Sequence, residues 1–421
     1  MHIEVIESSA RFVEVETDWD ELFAIDPCSH IYLSSRYIRA IVARAVGKFR
    51  ILTAWTDDQR LVGVFPLFPR TKWDTKEKYL YTELDMLGRG FDADYTGFLA
   101  DPAHQDAVSR AFAEAITKMA FGRLVLRYFN STPQRLEMFC SVFNDREYDI
   151  ETRERKINGG ETNNLICPYV DLPDTLPDYL KGLSSNARQK FRRLLRQLQN
   201  DPELRVTRSS PETFQRDAEI LSDLWYHQHS EQKGAQRAKN IKDQFREIVK
   251  IGLVNGLIYL PVLWRGRNAV AAQANYIDPV RRHSLFYVGG RDKSQRDISV
   301  GLMLHAHSIR WSIANGLTRY DFTRGDEPYK YNFGAIDNEI IYLEVARKPC
   351  EGAGRLLDAN YREDAVAIIR QKVSSGKGEE ARRAAHQAFA VWPDLADTIP
   401  EVAETIPEVA ETINVDKLNN T

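Results

Sequence analysis

The residues best suited to chemistry gather between Arg282 and Gly334, in the order strand, basic loop, helix, strand, polar turn. An alternating apolar run, RHSLFYVGG, ends on Gly289 and Gly290. Arg291, Lys293 and Arg296 then load the next loop with positive charge. Ser299 stands where an N-cap belongs, and Val300, Gly301 and Leu302 open a helical pattern whose first turn Gly301 leaves bare. The free amides and positive dipole of a helix N-terminus favour phosphate. Such a unit is suited to the pyrophosphate of coenzyme A or another nucleotide. The same residues also fit an ordinary capped helix after a polar loop.

A second concentration of charge lies in NARQKFRRLLRQL. Ala187, Phe191, Leu194 and Leu198 share one helical face, while Arg188, Arg192 and Arg196 form a stripe on another, with Lys190 and Arg193 beside it. No acid interrupts Ser184 to Gln199. A solvated face is one reading. A phosphate-bearing substrate, a tRNA acceptor stem and an anionic membrane surface are the others. The pairs His227/His229 and His305/His307 are two residues apart and point away from each other on a helix, so neither makes a metal face. Tyr226 and His227 are candidates to line an acceptor pocket; Trp225, Trp264 and Trp311 read as core.

The elements that must position these groups repeat a pattern. In the first half, Asp18–Phe23 and Tyr37–Val46 read as helices, FRILTAWTDD and RLVGVFPLFPR as a hairpin, Ala107–Met119 as a helix and RLVLRYF as a strand. In the second, Ser184–Leu198, Thr213–Gln232 and Ile241–Gly252 are helices, and LIYLPVLWRGRNAVAAQANYID is a hairpin turning at Arg-Gly-Arg-Asn. HSLFYVGG, the helix Val300–Asn315 and LTRYDFTR follow, with EIIYLEVARK as the closing strand. Each half is expected to be an α/β (α+β) layer structure, helices against a largely antiparallel sheet. After Pro349, Leu356–Val373 and Glu379–Phe389 look helical. The acidic repeat TIPEVAETIPEVAE, from Thr398 to Glu411, is expected to be a solvated tail, because its prolines block a continuous helix.

Composition narrows the class. A chain of 421 residues suggests about two domains. A 43% hydrophobic and 28% charged composition is that of a soluble globular protein, and a net charge of −3 argues against a general nucleic-acid binder. The four cysteines form no CxxC pair, which fits a reducing cytoplasm and no structural zinc. The acidic, alternating N-terminus does not resemble a signal peptide, and no run is long enough to span a bilayer.

Several blocks together carry a resemblance. They are Pro66-Leu67, Leu87-Gly88 and Asp94-Tyr95 in the first half, and NARQKFRRLLRQL, YVGGRDKSQRDISVGLMLHAHSIRWSIANGL and YDFTRGDEPYKYNFG in the second. Over about residues 10–345 the chain resembles the CelD/BcsL-type GNAT-like acyltransferases, relatives of the FemABX peptidyltransferases often found beside bacterial exopolysaccharide genes. The resemblance implies two tandem GNAT-like domains, 1–165 and 166–348, with the acyl-donor cleft in the second and a helical and acidic extension over 349–421. It implies transfer of an acetyl or longer acyl group from acyl-CoA to an amine, in a glycan precursor or an amino lipid, with no metal. Gln295–Gly301 departs from the usual Gln/Arg-x-x-Gly-x-Gly/Ala loop, so the donor is less firmly implied than the fold. A FemABX-like transferase using aminoacyl-tRNA, and a non-catalytic scaffold, remain as alternatives.

Under that resemblance Asp321 becomes the candidate to orient or deprotonate the amine. Glu327 offers a second carboxylate, Tyr329 a proton for the leaving thiolate, and Lys330 a cation for an oxyanion. Strand alternation places Arg319, Asp321 and Thr323 on one face and Tyr320, Phe322 and Arg324 on the other. Tyr287, Arg188 and Arg192 join Tyr226 and His227 as candidate substrate contacts. Alternatively, Asp326, Glu327 and Lys330 make a solvated turn held by an ion pair.

Overall fold

The computed structural model describes residues 1–44, 48–89, 93–348 and 355–397. The acidic repeat lies outside them. The strands of the first half are His2–Ile6 (β1), Arg50–Trp55 (β2), Leu61–Asp74 (β3), Tyr79–Met86 (β4), Leu99–Ala100 (β5), Arg123–Phe129 (β6) and Tyr148–Thr152 (β7). Lys156–Ile157 (β8) and Thr162–Asn163 (β9) form a small connecting ribbon. The remaining strands are Ile166–Asp171 (β10), Leu204–Arg208 (β11), Ile258–Tyr259 (β12), Pro261–Arg265 (β13), Asn268–Asp278 (β14), His283–Arg291 (β15), Arg319–Asp321 (β16), Ile336–Glu339 (β17) and Ile341–Arg347 (β18). The helices of the first half are Ser9–Glu14 (α1), Glu16–Ile25 (α2), Ser35–Val42 (α3), Gln105–Thr117 (α4) and Pro133–Cys140 (α5). Those of the second are Leu176–Gly182 (α6), Ser185–Asn200 (α7), Phe214–Lys233 (α8), Ala235–Val254 (α9) and Val300–Ala314 (α10). Arg362–Ser374 (α11) and Gly378–Val391 (α12) form the extension.

Local chemistry explains most boundaries. Ser34, Thr132 and Ser184 each accept a first-turn amide of α3, α5 and α7, and Pro133 opens α5 where no amide is missed. The β13–β14 hairpin turns at Gly266, whose φ of 58° suits only glycine well. Helix α9 begins at Ala235, six residues before the expected Ile241, directly after Gly234. The polar stretch AQRAKN lacks an apolar stripe but consists largely of good helix formers.

The sheets share one plan. The first runs β1-β2-β3-β4-β6-β18-β7, the second β11-β13-β14-β15-β16-β10-β17, with β5 and β12 paired at the side. Every neighbour is antiparallel except β4 with β6 and β15 with β16. Both parallel contacts are brief: β15 and β16 pair only at His283–Arg319, Ser284–Tyr320 and Leu285–Asp321 before separating. In each sheet a helix, α4 or α10, makes the crossover. The architecture is therefore mixed α/β, two sheets of like plan in tandem flanked by helices, as expected.

One expectation needs correction. EIIYLEVARK does not close the second sheet as a single strand. Its first residues belong to β17, and β18 crosses to the first sheet, between β6 and β7. The corresponding slot beside β16 is filled by β10, the first strand of the second half. The second half thus lends a strand to the first, and local pattern cannot reveal which sheet a strand joins.

A continuous core crosses the junction: Trp19, Tyr32 and Tyr37 from the first half pack with Leu221, Tyr276 and Leu285 from the second. Helix α10 buries Met303, Leu304 and Ile309 against Tyr320 and Phe322. The extension is anchored, its Ala365, Ile369, Ala384 and Ala388 packing on Leu80 and Trp73 of the first sheet. No helix among the described residues is long and apolar enough to cross a membrane.

Candidate active site

The site lies where β15 and β16 diverge. A bulge interrupts the β14–β15 register: Ala274 faces Val288 and Asn275 faces Phe286, so Tyr287 has no opposite residue. A bulge leaves part of the backbone ladder unpaired and re-aims the side chain. Tyr287 turns towards Tyr276, their rings 5.4 Å apart in a T-shaped contact, on the side where the halves meet.

The basic loop is assembled much as the sequence suggests. Arg291 ends β15, and its Cδ lies where a Cβ on Gly301 would touch it at 3.4 Å, so its side chain passes over the first turn of α10. Ser299 occupies the cap position, yet its side chain makes no capping hydrogen bond. The first-turn amides are left to an outside acceptor. The loop's acids are spent locally: Asp292 accepts from Ser294 and Gln295, and Asp297 pairs with Arg265 at 2.9 Å. Arg291, Lys293 and Arg296 are exposed and have no carboxylate within ion-pair distance among the described residues. Leu224, His227, Ala269, Arg291, Asp292 and Lys293 line a cavity of about 310 Å³ beside this turn. His227 therefore joins the basic loop rather than a separate acceptor pocket. Tyr226 packs nearby with Phe245 and Trp225. Val300 points into the core and Leu302 packs at its edge, so both contribute through their backbone.

Gly290 is what lets α8 approach the cradle. A Cβ there would lie 2.4 Å from the Trp225 amide nitrogen and 2.9 Å from the Leu221 carbonyl oxygen. The Arg291 amide, next in the chain, donates to Gln228 Oε1 of the same helix at 3.0 Å.

Asp321, opposite Leu285, sits at the root of the cleft. Its carboxylate accepts from the Tyr95 hydroxyl at 2.7 Å and from the Thr323 amide at 2.6 Å. Burial pushes its pKa up to about 6, against the lowering pull of the Tyr95 hydrogen bond. Buried Cys167, on β10, also contacts Tyr95, and burial pushes its thiol well above the ordinary range. Tyr95 belongs to the first half, so both halves build the environment of this carboxylate. The pleat stops at Thr323, whose φ of 54° is uncommon for a β-branched residue. Arg324 consequently does not follow Tyr320 and Phe322 into the α10 core, as alternation predicts. It turns to the junction, where its Nε donates to Asp94 Oδ1 at 2.5 Å.

Two of the other expected site residues, Lys330 and Arg188, are used differently. Lys330 is 2% exposed, and its ammonium donates to the carbonyls of Thr323, Arg324 and Gly325 at 3.1, 2.8 and 2.7 Å. Glu327 lies 3.0 Å from the same nitrogen. With its three hydrogens engaged, Lys330 holds the 323–325 turn and has none left for an oxyanion. Tyr329 packs against His305 and Phe322, and burial followed by the charge of Glu327 pushes its phenol pKa far upward. Arg188 donates to the carbonyls of Lys181 and Leu183, tying α7 to the end of α6. Arg192 stays on the exposed face of α7.

Sequence reasoning had assigned no site role to Tyr95, Asp94, Cys167 or Arg324. Asp94-Tyr95 did stand among the blocks carrying the resemblance, but only the fold brings it against Asp321 and Arg324.

Residues 185–331 match the model of the acetyltransferase (GNAT) domain family. No curated protein matches the sequence significantly. Among solved structures, a conserved protein of unknown function from Bacteroides thetaiotaomicron VPI-5482 is 13% identical over 83% of this chain and 100% of that one, with a TM-score of 0.50. FemX is 13% identical over 82% and 97% of the two chains, TM-score 0.49. A tandem GNAT protein from the clavulanic acid biosynthesis pathway is 10% identical over 83% and 100%, TM-score 0.45. The matched segment contains the bulged strand, the basic loop, α10 and Asp321. The match supports an N-acetyltransferase-like enzyme.

Proposed function

We propose that this chain is an N-acyltransferase that moves an acetyl or longer acyl group from acyl-CoA to an amine, in an amino sugar or exopolysaccharide precursor or an amino lipid. One observation carries the reading: Arg291 lies over the uncapped first turn of α10, at the open end of a parallel strand pair whose closed end holds Asp321. Arg291 stands six residues beyond the Leu285–Asp321 pair, roughly 20 Å along the strand. An extended donor with its anionic end on the cradle therefore presents its other end towards the carboxylate.

In this reaction the amine nitrogen attacks the thioester carbonyl, a C–N bond forms and the C–S bond breaks. Asp321 accepts the proton released by the amine, and a pKa near 6 leaves it ionised at neutral pH while keeping it a useful base. A backbone amide freed by the Tyr287 bulge serves the oxyanion. Tyr329, protonated at neutral pH, serves the leaving thiolate. Among the described residues Cys28, Cys140 and Cys167 are free thiols, which suits a reducing cytoplasm.

Titration calorimetry with acetyl-CoA and a long-chain acyl-CoA tests the reading. Micromolar binding that is lost in Arg291→Glu/Arg296→Glu supports it; unchanged binding in that variant removes the cradle. The second reading, an aminoacyl-tRNA donor, draws on the acid-free face of α7, where Arg192, Arg193 and Arg196 are exposed. It predicts RNA binding that weakens steeply with salt.

A further inference from the structure

The junction of the two halves holds a cation that has no ion-pair partner among the described residues. Arg89, just after β4, is partly buried, and its Nε has no hydrogen-bond partner. Its guanidinium lies 4.9 Å from the centre of the Tyr128 ring, and that of Arg324 lies 4.1 Å from the same ring. Arg324 has Asp94 as its acid; Arg89 has no acid in ion-pair contact among the described residues. Asp85 is near enough to act on Arg89 through space, but its oxygens accept from Arg70 at 2.7 Å and from the Met86 amide at 2.8 Å. Arg127 adds a third guanidinium, donating to the Tyr342 hydroxyl, with its own Nε unpartnered. Burial first, then the repulsion of Arg324 and Arg127, pushes the Arg89 pKa down, opposed by Asp85 and Tyr128.

Burying a guanidinium without a charged partner is unfavourable. A fold that keeps one has an unmet demand for an anion. The platform is held in place: Tyr128 has a φ of 61°, unusual for an aromatic residue, and its hydroxyl accepts from Asn164 at 3.1 Å. The position matters too. Arg324 follows Asp321 by three residues, and the Asp94-Tyr95 pair contacts both of them.

We propose that Arg89 and Arg324, gathered on Tyr128, bind an oxyanion group, carboxylate or phosphate, carried by the amine acceptor. The planar forks of two guanidiniums suit either group. The anion anchors one end of the acceptor at the junction and directs its amine towards Asp321. The word acceptor rests on the acyl-transfer reading; the anion site does not.

The test uses full-length protein carrying Arg291→Glu/Arg296→Glu, so that the cradle no longer competes for anions. Thermal unfolding is followed with inorganic phosphate, with succinate and with chloride at equal ionic strength. A rise of a few degrees with phosphate or succinate over chloride, abolished by Arg89→Gln, is expected. The larger of the two shifts tells a phosphoester handle from a carboxylate. Arg89→Gln without ligand is expected to melt at or above the parent temperature, because it removes a charge that has no ion-pair contact. The proposal is overturned if neither anion shifts the parent, if the shift survives Arg89→Gln, or if ligand-free Arg89→Gln melts several degrees lower, which would make the guanidinium structural. Acyl-CoA titration of the unmutated protein runs alongside. Its failure with the anion shift intact sinks the acyl-transfer reading alone.

Discussion

At the scale of single residues, Asp321 and Lys330 carry opposite expectations. Asp321→Asn keeps shape and an acceptor for Tyr95 but removes the base, so turnover should fall by about 10²–10⁴-fold. Wild-type turnover should itself decline as pH drops through about 6. The same group bears on stability. Its pKa is 3.8 in the unfolded chain and about 6 when folded, so within that window the folded state binds the extra proton. Stability therefore falls as pH rises through the window, and the full penalty is present above it. Asp321→Asn should melt higher than wild type at pH 8, and the difference should shrink towards pH 4; an acid-side increase would remove burial as the cause. Lys330→Met strips the ammonium from three carbonyls and Glu327 and should cost about 3 kcal/mol in denaturant unfolding. If it abolishes turnover without loss of stability, Lys330 acts in the chemistry after all. Sequence type marks both residues as chemical. Only their hydrogen-bond partners separate a carboxylate shared between the two halves from an ammonium consumed by its own turn.

At the scale of elements, the packing of α8 on β15 rests on Gly290. Gly290→Ala drives a methyl into the helix backbone and should cost about 3 kcal/mol, with weaker acyl-CoA binding, since Gln228 and His227 would move away from Arg291. Calorimetry and denaturant melts check both. The elements were largely legible. Hairpin and alternation signals located β2, β3, β14 and β15, and amphipathic patterns located α3 and α7. Strand β4 and the start of α9 were poorly marked. YLYTELDM mixes acids into a strand buried on both faces, where Glu83 and Asp85 are tolerated because Arg70 reaches both.

At the scale of the whole molecule, the crossing of β18 makes the halves interdependent. β18 completes the first sheet after the chain has built the second, and Arg281 from the second half donates to Ser29 Oγ and the Phe23 carbonyl of the first. Ending the chain at residue 338 removes β18 and exposes the edges of β6 and β7. That truncated chain should lose the first half's structure as well, whereas full-length protein should unfold in one transition by both circular dichroism and calorimetry. Two separate transitions in the intact protein would show that the crossing does not couple the halves.

The charges of the basic loop, the bare helical turn after it and the alternation of the strands follow from residue types a few positions apart, because propensity, capping and periodicity are short-range. The overall α/β plan was accordingly readable from the chain alone. Which sheet receives β18, why Arg324 leaves the α10 core, and how Tyr95 reaches Asp321 across 226 residues of sequence depend on contacts distant in the chain. So does the gathering of Arg89 and Arg324 on Tyr128. Those are settled by the packing of two sheets against each other, a free energy that no local window of sequence contains.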